Sequence, residues 1–150
     1  MSYLSEARAR PNGQSLESHL MDVTFDALSE APFLSHRDRG LLLIICLSHD
    51  IGKLRNEFQE SVKKIKNHSK EKRQHSVPSS IFTFRYVYAW LLANGSEEEE
   101  ACSLSGISAV LTASHHSGMD NIKANMSSLL TRWEEQMPSV ENLSIEEIDS

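Results

Sequence analysis

The chain has 150 residues, 39% of them hydrophobic and 24% charged, which suits one globular domain with a sizeable core and excludes wholesale disorder. A formal net charge of -6 argues against a protein that coats nucleic acid by charge alone. Cys46 and Cys102 stand at no metal-like spacing and are expected as reduced core residues of a cytoplasmic protein. The start, MSYLSEARARP, lacks an apolar run of signal-peptide length. The longest apolar stretch, 40–47, is too short to span a bilayer, so no membrane partner is expected.

Leu16, Leu20, Val23 and Ala27 recur at three- and four-residue spacing and predict a first helix over 15–28, capped by Ser15. His19 shares a stripe with Val23 and Ala27 and so faces inward. Ala31-Pro32 closes this segment. A second helix opens at Ser35, where Ser35 and Asp38 fit a capping box, and continues through LLLIICLSHD. That run is apolar nearly all round, which predicts the central helix of the domain. Gly52 is expected to loosen the backbone after His49-Asp50, with a further helix from Lys53 through Phe58 to Ile65.

Residues 66–74 are polar and basic and read as a loop. The next helix spans 76–92, with Ser76 as its cap, Pro78 tolerated in the first turn, and Asn94-Gly95 ending it. Glu97 to Glu100 suit the first turn of a helix that carries Leu104, Ile107, Val110 and Leu111 down to His115-His116. Ser117-Gly118 then turns the chain. Residues 122–133 can form a short helix, and 138–150 read as a polar tail. No repeat, heptad or strand pattern appears, so one all-α domain is expected.

Charge is unevenly spread. Lys63, Lys64, Lys66, Lys70, Lys72 and Arg73 form a cationic stretch, opposed within it only by Glu71. Its lysines, Lys63, Lys64 and Lys66 first, could hold a nucleic-acid backbone without reading bases; the alternative is a solvated loop. Phe82, Phe84, Tyr86, Tyr88 and Trp90 are spaced by two, which on a helix spreads them over several faces as packing residues.

The histidines carry the chemistry. His19 lies on an inward stripe, His49 and Asp50 end an apolar helix, His75 begins another, and His115-His116 end a third. Neutral imidazole and ionised carboxylate at converging helix ends are what a divalent cation needs. A lone histidine on an apolar face is more often a hydrogen-bonded core residue, so the ordered set carries the inference. His36 and His68 sit in polar segments expected to be exposed and are set aside. The chain has no HExxH, no GxxxxGK[ST] loop and no nucleophile elbow, which excludes the zincin, P-loop and serine-hydrolase chemistries.

HDIGK at 49–53, preceded by the histidine of SLESHL, resembles the HD superfamily of metal-dependent phosphohydrolases. The longer series is HDIGKLRNEFQESV, a lysine-rich stretch, HS at 75–76 and SHHSG at 114–118. It resembles the HD nuclease domain of the CRISPR interference helicase-nuclease of type I systems, over residues 15–118. The resemblance implies an all-α, HD-domain-like helical bundle with a metal cleft. It implies a metal-dependent nuclease cutting single-stranded DNA, with a CRISPR helicase and a surveillance complex as partners. It also implies two divalent ions, with Mg, Mn, Ni, Co, Fe and Zn all compatible. His19, His49 and Asp50 would serve the first ion; Asp50 would bridge to the second, which His75, His115 and His116 complete. Lys53 would be catalytic beside Asp50, contacting phosphate or water, or would simply pair with Asp50. Phe58 and Gln59 look like packing and loop-fixing residues.

One departure stands out. The family pattern carries another metal-binding aspartate well beyond the histidine doublet, which Asp120 is too close to match, while Asp149 is the last residue but one. The expectation is a C-terminally truncated or incomplete domain over 1–150, with the first ion's position weakened. Two rival functions remain open: a phosphohydrolase acting on nucleotides or small phosphoesters, and a non-catalytic metal-binding adaptor.

Overall fold

The structure, a computed structural model, describes residues 3–70 and 74–116. Its elements follow in the order α1 (Tyr3–Glu6), α2 (Leu16–Glu30), α3 (His36–Ser48), a 3-10 turn (Ile51–Leu54), α4 (Asn56–Val62), α5 (Ser76–Ala93) and α6 (Glu98–Ser114). There is no β-strand among the described residues, only an isolated bridge between Arg8 and Ser15. The fold is an all-α helical bundle.

Local chemistry sets the helix boundaries. Ser15 Oγ accepts from Ser18 N at 3.1 Å and opens α2. Ser35 Oγ accepts from Asp38 N at 3.1 Å and donates to the Asp38 carboxylate at 2.7 Å, closing a box at the start of α3. Asn94 caps α5, and Gly95 follows with a φ of 81°, the left-handed conformation that ends helices. His75, not the expected Ser76, occupies the N-cap of α5, without a side-chain cap bond, and Ser76 is already helical. The expected helix from Lys53 to Ile65 is divided. The chain turns at Arg55, with ψ of 138°, and Lys64 leaves α4 with a positive φ of 58°.

The centre of the bundle is α5, not α3. Ten residues of α5 are buried, against only Cys46 and Ser48 in α3, where Leu43 and Leu47 are exposed. The reason lies in residues that hydropathy scores as polar. Ser76, Ser79, Ser80 and Thr83 are small enough for neighbouring elements to approach closely. Their hydroxyls can be satisfied inside the protein, as Ser80 Oγ is by Val77 O and Thr83 Oγ1 by Ser79 O. Farther along, Val87 and Leu91 pack with Ala101 of α6, and Leu41 and Ile44 of α3 lie against them.

Of the cysteines, Cys46 is buried and Cys102 is exposed. His68 is not exposed as expected: it pairs with Glu60, and the loop after α4 folds back so that His68 N donates to Ser61 Oγ. The N-terminal segment also packs inward. Ala7 and Ala9 join Leu16, Leu20 and Leu54, and Leu16 N donates to Ala7 O at 2.7 Å. The turn expected at 117–118, the helix at 122–133, the tail at 138–150, and Lys72 and Arg73 lie outside the described residues. Among the described residues no helix is long and apolar enough to cross a membrane.

Candidate metal centre

Asp50 stands between His49, the C-cap of α3, and the 3-10 turn, and is 1% exposed. Its Oδ2 lies 2.9 Å from His19 Nε2, 3.3 Å from His49 Nε2 and 2.6 Å from Lys53 Nζ. Its Oδ1 lies 3.1 Å from His75 Nε2 and 3.3 Å from His115 Nε2. His116 Nε2 is 2.8 Å from His75 Nε2. The structure thus brings His19, His49, Asp50, Lys53, His75, His115 and His116 to one place. They fall into two groups that could each hold a metal: His19, His49 and Asp50 in one, Asp50, His75, His115 and His116 in the other. Asp50 belongs to both.

The imidazoles are oriented from behind. His49 Nδ1 donates to Cys46 O at 2.7 Å, and His115 Nδ1 donates to Thr112 O, each carbonyl three residues back in the same helix. A carbonyl only accepts, so both Nδ1 atoms carry the proton, and a neutral ring then presents a lone pair at Nε2. Those lone pairs face carboxylate oxygens that are also acceptors. Such an arrangement is favourable only with a cation among the atoms, either a proton on Nε2 or a metal. Asp50 Oδ1 is fully buried and completes a hydrogen bond with neither nitrogen in reach. A buried carboxylate oxygen without a partner is costly in a native protein. The donor set therefore fits a divalent ion, which imidazole nitrogen and carboxylate oxygen ligate together.

Protonation is consistent with that fit. Burial works to raise the Asp50 pKa, but His115, His49, His75 and Lys53 hold its carboxyl well below the usual carboxylate range. Burial, then the neighbouring His115 and His75, pushes His116 down to about 4, so the ring is neutral at neutral pH. Burial also lowers His19, outweighing its bond to Asp50. For His49 burial again pulls downward, yet the Asp50 carboxylate and the Cys46 carbonyl prevail and raise it.

Two further devices hold the site. Gln59 Nε2 donates to Lys53 O at 2.8 Å and to Arg8 O at 3.0 Å, while its Oε1 accepts from Arg8 N at 2.9 Å. It ties the Lys53 backbone to the N-terminal segment. Gly52 does not loosen the chain as expected; it is buried where the 3-10 turn meets the start of α5. Gly52 N donates to Ser79 Oγ at 2.9 Å, and an added Cβ would collide with the His75 carbonyl. The sequence showed the glycine but not what it faces. Phe58 sets its edge against the His75 ring, centroids 5.3 Å apart.

A cavity of about 750 Å³ opens beside the second group, lined by Pro11, Phe58, Val62, Lys70, His75 and His116 among others. The basic stretch is divided with respect to it. Lys70 lines this cleft, whereas Lys63 lines a separate cavity of about 140 Å³ with Tyr3 and Glu6. Lys64 and Lys66 are exposed and line neither. The fold-back of the loop after α4 turns its early lysines away from the metal cleft, a result that spacing alone does not foretell.

Searches of curated proteins and of solved structures found no match to the chain. The family described as "Cas3, HD domain" matches residues 8–146, a span that includes every histidine gathered around Asp50. On that match the chain belongs to the family of Cas3 HD domains and is an HD-type metal-dependent hydrolase domain.

Proposed function

We propose that this domain hydrolyses phosphodiester bonds of single-stranded DNA in CRISPR interference, using two divalent ions held by the ligand groups that share Asp50. The observation that carries the reading is the sharing itself: one buried carboxylate offers Oδ2 to His19 and His49 and Oδ1 to His75 and His115. An anion placed between two cations offsets their repulsion, a task neutral imidazole cannot take. His19, His49 and Asp50 would hold one ion; Asp50, His75, His115 and His116 would hold the other. Bound there, the ions supply Lewis acidity to a phosphate oxygen and neutralise developing negative charge. A set this rich in imidazole suits Mn, Fe, Co, Ni or Zn better than Mg.

The protein's own groups do the rest. Lys53 keeps Asp50 ionised through its 2.6 Å contact, and its ammonium has three donors, so others remain to meet a phosphate oxygen. Phe58 and Val62 form an apolar wall that limits water beside the second group. Lys70 on the same cleft would hold a phosphate of the strand. With no P-loop in the sequence, ATP-driven delivery of that strand falls to a helicase, as another domain or another protein, working with a surveillance complex.

The test is single-turnover hydrolysis by metal-stripped protein reloaded with Mn²⁺ or Co²⁺, comparing single-stranded DNA with nucleotides. Cleavage of DNA that disappears in Asp50→Ala is expected. Preferential nucleotide hydrolysis would transfer the proposal to a small-phosphoester enzyme. Metal uptake with no hydrolysis of either substrate would make the domain a metal-binding adaptor.

A further inference from the structure

We infer that the buried hydroxyl of Thr83 is a positioning group that fixes the separation of the two ligand groups by joining three of the four helices that carry them, α3, α5 and α6. This rests on the metal-centre reading above and adds to it. Thr83 Oγ1 on α5 lies 2.7 Å from Ser48 Oγ on α3 and accepts from Thr112 Oγ1 on α6 at 3.1 Å. Its own proton goes to Ser79 O at 3.0 Å. A hydroxyl has one proton and two lone pairs, so with the Thr83 proton on Ser79 O it is Ser48 that must donate across the 2.7 Å contact, in competition with its own-helix acceptor Ile44 O, also at 2.7 Å. All three hydroxyl residues are buried.

Each arm ends next to a ligand. Ser48 immediately precedes His49 and Asp50. Thr112 supplies the carbonyl that orients His115. Ser79, whose carbonyl Thr83 holds, accepts through its own Oγ from Gly52 N, the contact that seats the 3-10 turn against the backbone of His75. Buried hydroxyls elsewhere do less: for Ser105 and Ser108, the bonds to Ala101 O and Leu104 O return to their own helix. The cross-helix bonds at Thr83 differ in kind and converge behind the metal centre.

The geometric leverage is large. With a methyl in place of the hydroxyl, the 2.7 Å approach of Ser48 opens toward the ~3.5–4.0 Å of an apolar contact, a shift of about 1 Å one residue from His49. Metal ligation tolerates roughly 0.2 Å. Thr83→Val should therefore disturb the metal groups, while Thr83→Ser keeps the bonds.

The experiment titrates Mn²⁺ and Co²⁺ calorimetrically into metal-stripped protein and records thermal unfolding of the metal-free state. The variants are Thr83→Val, Thr83→Ser and Val87→Ala, the last a buried residue one turn farther along α5 that touches no ligand. Expected is at least a tenfold loss of affinity in Thr83→Val, near-parental affinity in Thr83→Ser, and a lowered melting temperature with unchanged affinity in Val87→Ala. Parental affinity in Thr83→Val overturns the inference, as does an equal loss of affinity in Val87→Ala. Should Thr83→Val not fold, Ser48→Ala and Thr112→Val carry the comparison, each expected to weaken metal binding. A parent that takes up no metal overturns this inference together with the metal-centre reading; a parent that binds as well as Thr83→Val overturns this one alone.

Discussion

Gly52→Ala tests how tightly the centre is built. A methyl at this position would stand 3.0 Å from Ser79 Oγ and 3.1 Å from the His75 carbonyl carbon, and closer still to the His75 carbonyl oxygen. Ordinary contacts with carbon are ~3.5–4.0 Å, so relieving the carbonyl contact requires the start of α5 to retreat by about 1 Å or more. His75 caps that helix and places Nε2 3.1 Å from Asp50 Oδ1, so the retreat carries a ligand of the second group with it. Ligand distances hold to about 0.2 Å, which makes the displacement several times the tolerance. Overpacking of this kind costs about 1–3 kcal/mol, and at roughly 2–4 °C per kcal/mol the melting temperature should fall by about 2–12 °C. The assay pairs thermal unfolding of metal-stripped protein with calorimetric Co²⁺ titration. Expected is the moderate loss of stability together with at least a tenfold weaker second binding event. A variant with parental melting temperature and two parental binding events would refute the close approach of the turn to α5 and the account of the HDIGK glycine built on it.

Three other outcomes are expected. Lys53→Met breaks a buried pair with Asp50 and should destabilise the metal-free protein by about 3–5 kcal/mol, while bound metal persists and hydrolysis slows; an unchanged unfolding curve would show that the pair is not held in solution. Lys70→Ala should weaken single-stranded DNA binding and reduce its salt dependence by about one phosphate contact, more than Lys63→Ala, Lys64→Ala and Lys66→Ala do together; the opposite ranking would return the strand to the outer loop. The last concerns pH. His116 titrates near 4 when folded against an ordinary 6.5, so between those values the unfolded chain binds the extra proton and stability rises with pH. Metal-free parent should therefore lose more melting temperature on acidification from pH 6.5 to 4 than His116→Gln does, and parallel curves for the two proteins would contradict the lowered value.

The local features of this protein were legible in its sequence because their causes are local. Ser15 and Ser35 cap helices with their own hydroxyls, and Asn94-Gly95 ends α5 because glycine accepts a positive φ. The histidines and Asp50 could be singled out because each stands at the end, or on the inward stripe, of an apolar helical run. Hydropathy also pointed to α3 as the central helix, and there it misled. Helix α3 is apolar on faces that the described neighbours leave partly open, whereas α5 is buried through serines and a threonine whose polarity is cancelled by bonds inside the fold. Which lysine reaches the cleft was likewise decided by the loop folding back on α4 through His68, Glu60 and Ser61. The role of Gly52 depends on a carbonyl 23 residues away in sequence. Sequence alone determined the helix ends set by local caps and the candidate donors, since these follow from neighbouring residues and periodicity. Only tertiary structure decided which carboxylate oxygen each imidazole meets and which hydroxyl joins the helices, because those distances are set by packing between segments far apart in the chain.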